Sequence, residues 1–199
     1  MFATSFVLGY HGCDEKTGMR ILSGEHVSLS RNAYDWLGTG AYFWENSPER
    51  ALSWAKFLQR HPPSPSRKIE KPFVVGAIID LGNCLDLSDA GSLAIIRSGY
   101  EQFKKTIESA GAQLPANERA HSRDEDLVKR HLDCAVVNFV HLLRERSKLR
   151  PFDTVRGIFT EGGDLYPGAK IQARTHVQIC VRNPAVSVKG YFRPLKSPG

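Results

Sequence analysis

Cysteine is scarce in this chain and never paired: Cys13, Cys84, Cys134 and Cys180 are spread over 199 residues without a Cys-x-x-Cys spacing. That excludes a disulfide framework and the paired-ligand zinc modules, and it predicts free thiols in a reducing compartment, the cytoplasm. No His-Glu-x-x-His occurs and no two of the seven histidines stand four apart, so no metal site is expected. Apolar runs are all too short for a membrane span, and the first eight residues lack a basic segment and turn polar too early for a signal peptide. Membrane attachment and export are therefore not expected. A P-loop is missing as well, which argues against nucleotide hydrolysis of that type. No internal repeat is found, and biased composition is confined to the proline-rich stretch 61–66, read as a surface loop.

With 41% hydrophobic residues, the chain is long enough for one well-cored domain and short for two, so residues 1–199 are expected to form a single domain. The net charge of +6 is unevenly placed. Positions 142–199 hold 11 Lys/Arg against 4 Asp/Glu, whereas positions 1–141 hold 16 against 17. A basic face of this kind attracts a polyanion through phosphate neutralisation, which makes nucleic acid a candidate partner.

Hydrophobic periodicity predicts strands at 6–9, 26–30, 42–44, 73–80, 156–160, 175–181 and 187–192. Asp14 is placed to cap a short helix through Leu22. Ser47 and Pro48 open another, with an apolar stripe at Ala51, Trp54, Ala55 and Leu58. Ser88 is read as the cap of a helix toward Ala110. Ser122 and Glu125 form a capping box for a helix burying Leu132, Ala135, Val136, Phe139, Val140 and Leu143. Strands at both ends with helices inserted between them predict an α+β fold with a largely antiparallel sheet rather than a doubly wound one.

One constellation carries chemistry. Gly38-Thr39-Gly40-Ala41-Tyr42-Phe43 is a glycine turn feeding an aromatic strand, and it lies between Tyr10-His11-Gly12 and the helix opened by Ser47-Pro48. Glycines at such a turn allow positive φ, or let a ligand come close to the backbone beside an aromatic face. The order turn then strand, without a third glycine, is not the dinucleotide fingerprint. Late in the chain, Thr175-His176-Val177-Gln178-Ile179-Cys180-Val181 sets polar residues within an apolar strand.

In this order the motifs resemble the diphtheria-toxin-like and poly(ADP-ribose)-polymerase-like ADP-ribosyltransferases, whose signature is His, Tyr and Glu on three separate strands. The segments Asp35-Trp36-Leu37-Gly38 and Arg156-Gly157-Ile158-Phe159-Thr160-Glu161-Gly162 look like those of small bacterial members. About thirty residues, spread from Tyr10 to Phe192, carry the resemblance. It implies a split, mostly antiparallel sheet and NAD as substrate. His11 would bond a ribose hydroxyl, the Gly12 backbone would hold the carboxamide, and Tyr42 and Trp54 would flank the nicotinamide ring, with Tyr10 and Gly40 lining the same site. A planar cationic ring suits aromatic faces, and groups that orient the ribose help an oxocarbenium-like transition state.

The family's catalytic glutamate falls on Gln178, which can hydrogen-bond a ribose hydroxyl but cannot act as a base. Polymerising activity is thereby put in doubt. Glu161 is the best substitute carboxylate and Glu45 a weaker one, and the loop 162–174, with Tyr166, Lys170 and Arg174, is the expected acceptor-facing segment. The resemblance thus implies a mono-ADP-ribosyltransferase acting on a nucleic acid or a protein, in the role of a toxin or defence effector with a neutralising antitoxin as partner. The alternatives are an NAD glycohydrolase and a non-catalytic nucleic-acid-binding module on the same fold.

Overall fold

The computed structural model describes residues 6–64, 68–119 and 126–195. The chain folds as α+β around one mostly antiparallel sheet of seven strands in the order β4-β5-β6-β2-β1-β3-β7. These are β1 (Phe6–Asp14), β2 (Ala41–Glu45), β3 (Pro72–Asp80), β4 (Cys84–Asp86), β5 (Thr154–Phe159), β6 (His176–Val181) and β7 (Val188–Phe192). Among the described residues, only β4 and β5 run parallel. Five helices among the described residues accompany them: α1 (Glu15–Leu22), α2 (Pro48–Arg60), α3 (Ala90–Ser109), α4 (His131–Arg146) and the short α5 (Pro184–Ser187).

β1 is longer than the apolar run 6–9 predicts. All nine of its residues pair with β3, which carries Tyr10-His11-Gly12 into the sheet interior. Its last residue, Asp14, caps α1 by accepting from the Lys16 amide at 3.0 Å. The other carboxylate oxygen accepts from the Glu70 and Lys71 amides at 2.8 and 3.0 Å, so one side chain fixes the start of α1 and the approach to β3.

Several expectations are corrected. The alternating segment 26–30 is not a strand; its one ladder contact is an isolated bridge between Ser30 and Gly40. Its Val27 amide is instead satisfied by the Tyr191 hydroxyl at 3.2 Å. Asp89 rather than Ser88 caps α3, accepting from the Ser92 amide, because the Ser88 hydroxyl is spent on Asp86. Ser47 precedes α2 as expected, but its side chain makes no capping bond among the described residues. The capping box at Ser122 and Glu125 lies outside the described residues, and α4 begins at His131. Its buried face is Cys134, Val136, Val137, Val140 and His141, rotated from the predicted stripe, while Phe139 turns toward Phe103 of α3.

Two apolar clusters sandwich the sheet. One gathers Cys13, Ile21, Val27, Phe43, Val75, Ala77, Ile79 and Ile179 beneath α1 and the segment after it. The other joins Leu37, Leu85, Val137, Val140, Phe152, Val155 and Cys180 beneath α4. On α2, Ala51 and Ala55 are buried, and Ala51 lies against Gly12 of β1. No helix among the described residues is long and apolar enough to cross a membrane.

Candidate functional site

The strands bearing His11, Tyr42 and Gln178 are consecutive in the sheet, β1-β2-β6. The ladder between β1 and β2 consists of Gly9 opposite Glu45 and Tyr10 opposite Trp44, and beyond Tyr10 the strands part. Where the ladder stops, His11 Nδ1 lies 2.9 Å from the Tyr42 carbonyl oxygen, and the imidazole packs 5.9 Å from the Phe43 ring. A carbonyl only accepts, so Nδ1 carries the proton and Nε2 keeps its lone pair. Burial pushes the His11 pKa below its ordinary value, against the opposing pull of the Tyr42 carbonyl, so the ring is neutral at pH 7.

The glycine turn is as tight as its sequence predicts. Gly38 sits at φ +81, a conformation that disfavours any side chain, and its amide donates to the Asp35 carbonyl at 2.7 Å. Tyr42 closes the turn: its hydroxyl donates to the Gly38 carbonyl at 2.8 Å and accepts from the Leu37 amide at 3.0 Å. Asn138 of α4 fastens the same loop by accepting from the Thr39 amide at 3.0 Å. The bare Cα positions serve protein contacts. A Cβ on Gly40 would collide with the Cys180 sulfur, and one on Gly12 with the Ala51 carbonyl.

Tyr42 and Trp54, the two rings expected to share a ligand, have different neighbours. Tyr42 packs on the cluster beneath α4, and burial raises its pKa. Trp54 is 44% exposed on α2, stacked 5.6 Å from Phe57 and 6.1 Å from Trp44. Tyr10 meets Phe192 edge-on at 6.0 Å.

A second set of residues forms around Gln178 and Glu161. Gln178 lies opposite Trp44 on one side and Gly157 on the other. Its Oε1 accepts from the Trp36 indole at 2.6 Å, which leaves Nε2 as a donor. Glu161 follows β5 and is held by Arg50 of α2 at 2.6 Å, with Arg174 at 3.9 Å; only 15% of its side chain is exposed. His176 packs between Phe159 at 5.6 Å and Trp44 at 6.3 Å, its Nδ1 2.7 Å from the Arg174 carbonyl. Burial lowers its pKa, and the Arg50 guanidinium adds to the effect. Glu45 faces away from this set by strand alternation, and Arg156 grips it through two bonds of 2.6 and 3.1 Å. In the loop after Glu161, the Gly162 amide donates to Asp126 and Asp164 bridges Gln172, while Leu165, Tyr166 and Ile171 stand exposed.

Trp44, His176, Arg50 and Trp36 were not singled out from sequence. Two of them were within reach: in a strand, Trp44 shares a face with Tyr42, and His176 with Gln178. Nothing local marks Arg50, which reaches Glu161 across 111 positions. Buried atoms without partners among the described residues also collect here, namely Trp44 Nε1, Arg50 Nε and His176 Nε2. Each costs about 1–3 kcal/mol unless something fills its hydrogen bond. Among the described residues, no three His, Cys, Asp or Glu side chains are grouped to hold a metal ion.

No family model matches this chain. No solved structure matches it either. A protein of Methanocaldococcus jannaschii, itself described as uncharacterised, is 24% identical over 200 aligned positions, covering 90% of this chain and 84% of its own length.

Proposed function

We propose that this chain is an NAD-dependent mono-ADP-ribosyltransferase of the cytoplasm, transferring ADP-ribose to a nucleic acid or a protein and acting as a toxin or defence effector. The observation that carries this reading is the adjacency of β1, β2 and β6, which sets His11 at the parting of β1 and β2, against Phe43, and Gln178 in register with Trp44 two strands away. The resemblance noted from sequence has its signature residues on three separate strands, as they are here; the effector role rests on that resemblance alone.

In this reading the bond from ribose C1′ to the nicotinamide nitrogen breaks first, and its electron pair leaves with neutral nicotinamide. His11, neutral and with its Nε2 lone pair available, accepts a hydrogen bond from a ribose hydroxyl. Gln178 contributes differently from a glutamate: with Oε1 committed to Trp36, its amide nitrogen donates to the ribose. The negative charge that favours a cationic sugar comes from Glu161. Because Arg50 holds that carboxylate, Glu161 acts by its charge and position more than as a base. A nucleophile on the acceptor then bonds to C1′ and loses its proton to solvent. The basic third of the chain favours an acceptor that carries phosphate.

Purified protein incubated with NAD labelled in its adenylate half, together with separate protein, RNA and DNA pools, tests both activity and acceptor. The expected result is free nicotinamide with label in one macromolecular pool. Nicotinamide without a labelled pool identifies hydrolysis instead, and neither product overturns the reading.

A further inference from the structure

Three partnerless polar atoms come from three elements yet lie in one place: Trp44 Nε1 from β2, Arg50 Nε from α2 and His176 Nε2 from β6. Trp44 is 7% exposed and His176 8%. Their ring centroids are 6.3 Å apart, and Arg50 Nη2 reaches within 3.4 Å of His176 Nδ1. Among the described residues none of the three atoms has a hydrogen-bond partner. A packed core satisfies nearly all such atoms, so a cluster of them calls for a partner.

The polarity of each atom is fixed by its chemistry. An indole N–H and a guanidinium N–H only donate. His176 Nδ1 faces the Arg174 carbonyl at 2.7 Å and must carry the hydrogen, so Nε2 is an acceptor. The guanidinium of Arg50 meets Nδ1 donor to donor and opposes a second proton on the ring. The site therefore offers two donors and one acceptor. A primary carboxamide complements that set, with an oxygen for the donors and an N–H for the imidazole. A carboxylate lacks the N–H and would set its charge against the His176 lone pair.

We propose that Trp44, Arg50 and His176 form the subsite that reads the carboxamide of the nicotinamide ring, in place of the Gly12 backbone, whose Cα face the Ala51 carbonyl covers. This rests on the NAD reading above. Trp44 and Trp54 supply aromatic walls for the ring, and Trp54, half-exposed and packed on Trp44, is the wall on the solvent side.

The test titrates ¹⁵N-labelled protein with nicotinamide and, separately, with nicotinic acid, following the indole N–H resonances; Trp44→Phe assigns the Trp44 signal. Nicotinamide is expected to shift that signal and to bind at least about tenfold more tightly than nicotinic acid. Trp44→Phe, which removes only the N–H and part of the ring, and His176→Phe should each weaken nicotinamide by about tenfold with the thermal midpoint preserved. Arg50→Lys is the second variant if His176→Phe does not fold. Equal binding of the two ligands, or unweakened binding in the folded variants, overturns the subsite. If NAD is cleaved while nicotinamide leaves the Trp44 signal unmoved, the subsite fails and the transferase reading stands. Binding with the expected preference but no NAD cleavage leaves the subsite standing and removes the transferase.

Discussion

His141 makes the chain's stability sensitive to acid. It is 5% exposed on α4, and neither ring nitrogen has a partner among the described residues. Burial first, and then the charges of Arg182 and Arg144, lower its pKa to about 3. In the unfolded chain the same imidazole titrates near 6.5. Between these values the unfolded state binds a proton that the folded state refuses, so this group's contribution is flat above pH 6.5 and turns destabilising as pH drops below it. By pH 5 the loss from this group is about 2 kcal/mol. Urea midpoints at pH 7 and pH 5 should therefore separate clearly in the native chain and much less in His141→Phe, where Phe152 offers an aromatic neighbour. An equal separation in both proteins contradicts the assignment. Residue types were legible to different degrees. His11, Tyr42, Gln178 and Glu161 are visible because a motif order surrounds them, whereas Arg50 and the indole of Trp44 acquire meaning only from the atoms left unpaired around them.

Among the elements, α1 shows how a cap can join local and long-range structure. Asp14 serves the Lys16 amide within the helix start and two amides more than fifty positions away. Replacing it with Ala removes all three bonds, and the expected cost is about 1–2 kcal/mol, at the upper end for a cap. Thermal unfolding of Asp14→Ala measures this; a loss below a few tenths of a kcal/mol shows that solvent replaces the carboxylate. Most elements were readable from period and punctuation, including the helix after Pro48 and the late strands. The segment 26–30 misled because alternation reports a half-buried face and not a partner: Val27 is buried, yet its amide finds a tyrosine hydroxyl instead of a ladder. β4, three residues long, gives periodicity too little to register. The glycine turn was read as a place of close approach. It is one, but Cys180 and Val181 of β6 make that approach to Gly40.

At the level of the whole molecule, the sheet order brings segments from both ends of the chain together. Trp44, His176 and Gln178 share one face of β2 and β6 with Glu161 joined to them through Arg50, and His11 stands at the parting of β1 and β2 beside Phe43, while the basic last third contributes β5, β6 and the exposed loop beside Glu161. Composition and charge predicted a polyanion-facing side, and the α+β class followed from the order of elements. The direction of each hydrogen bond did not, because it depends on partners such as Trp36 for Gln178 that lie 142 positions apart. The most direct measurement is chromatographic detection of nicotinamide released from NAD by the purified chain and by His11→Ala, with circular dichroism confirming the variant's fold. The account predicts steady release by the native chain and a fall of about 100-fold in the variant, as expected when a group that orients the reacting sugar is lost. No nicotinamide above the buffer control from the native chain contradicts it.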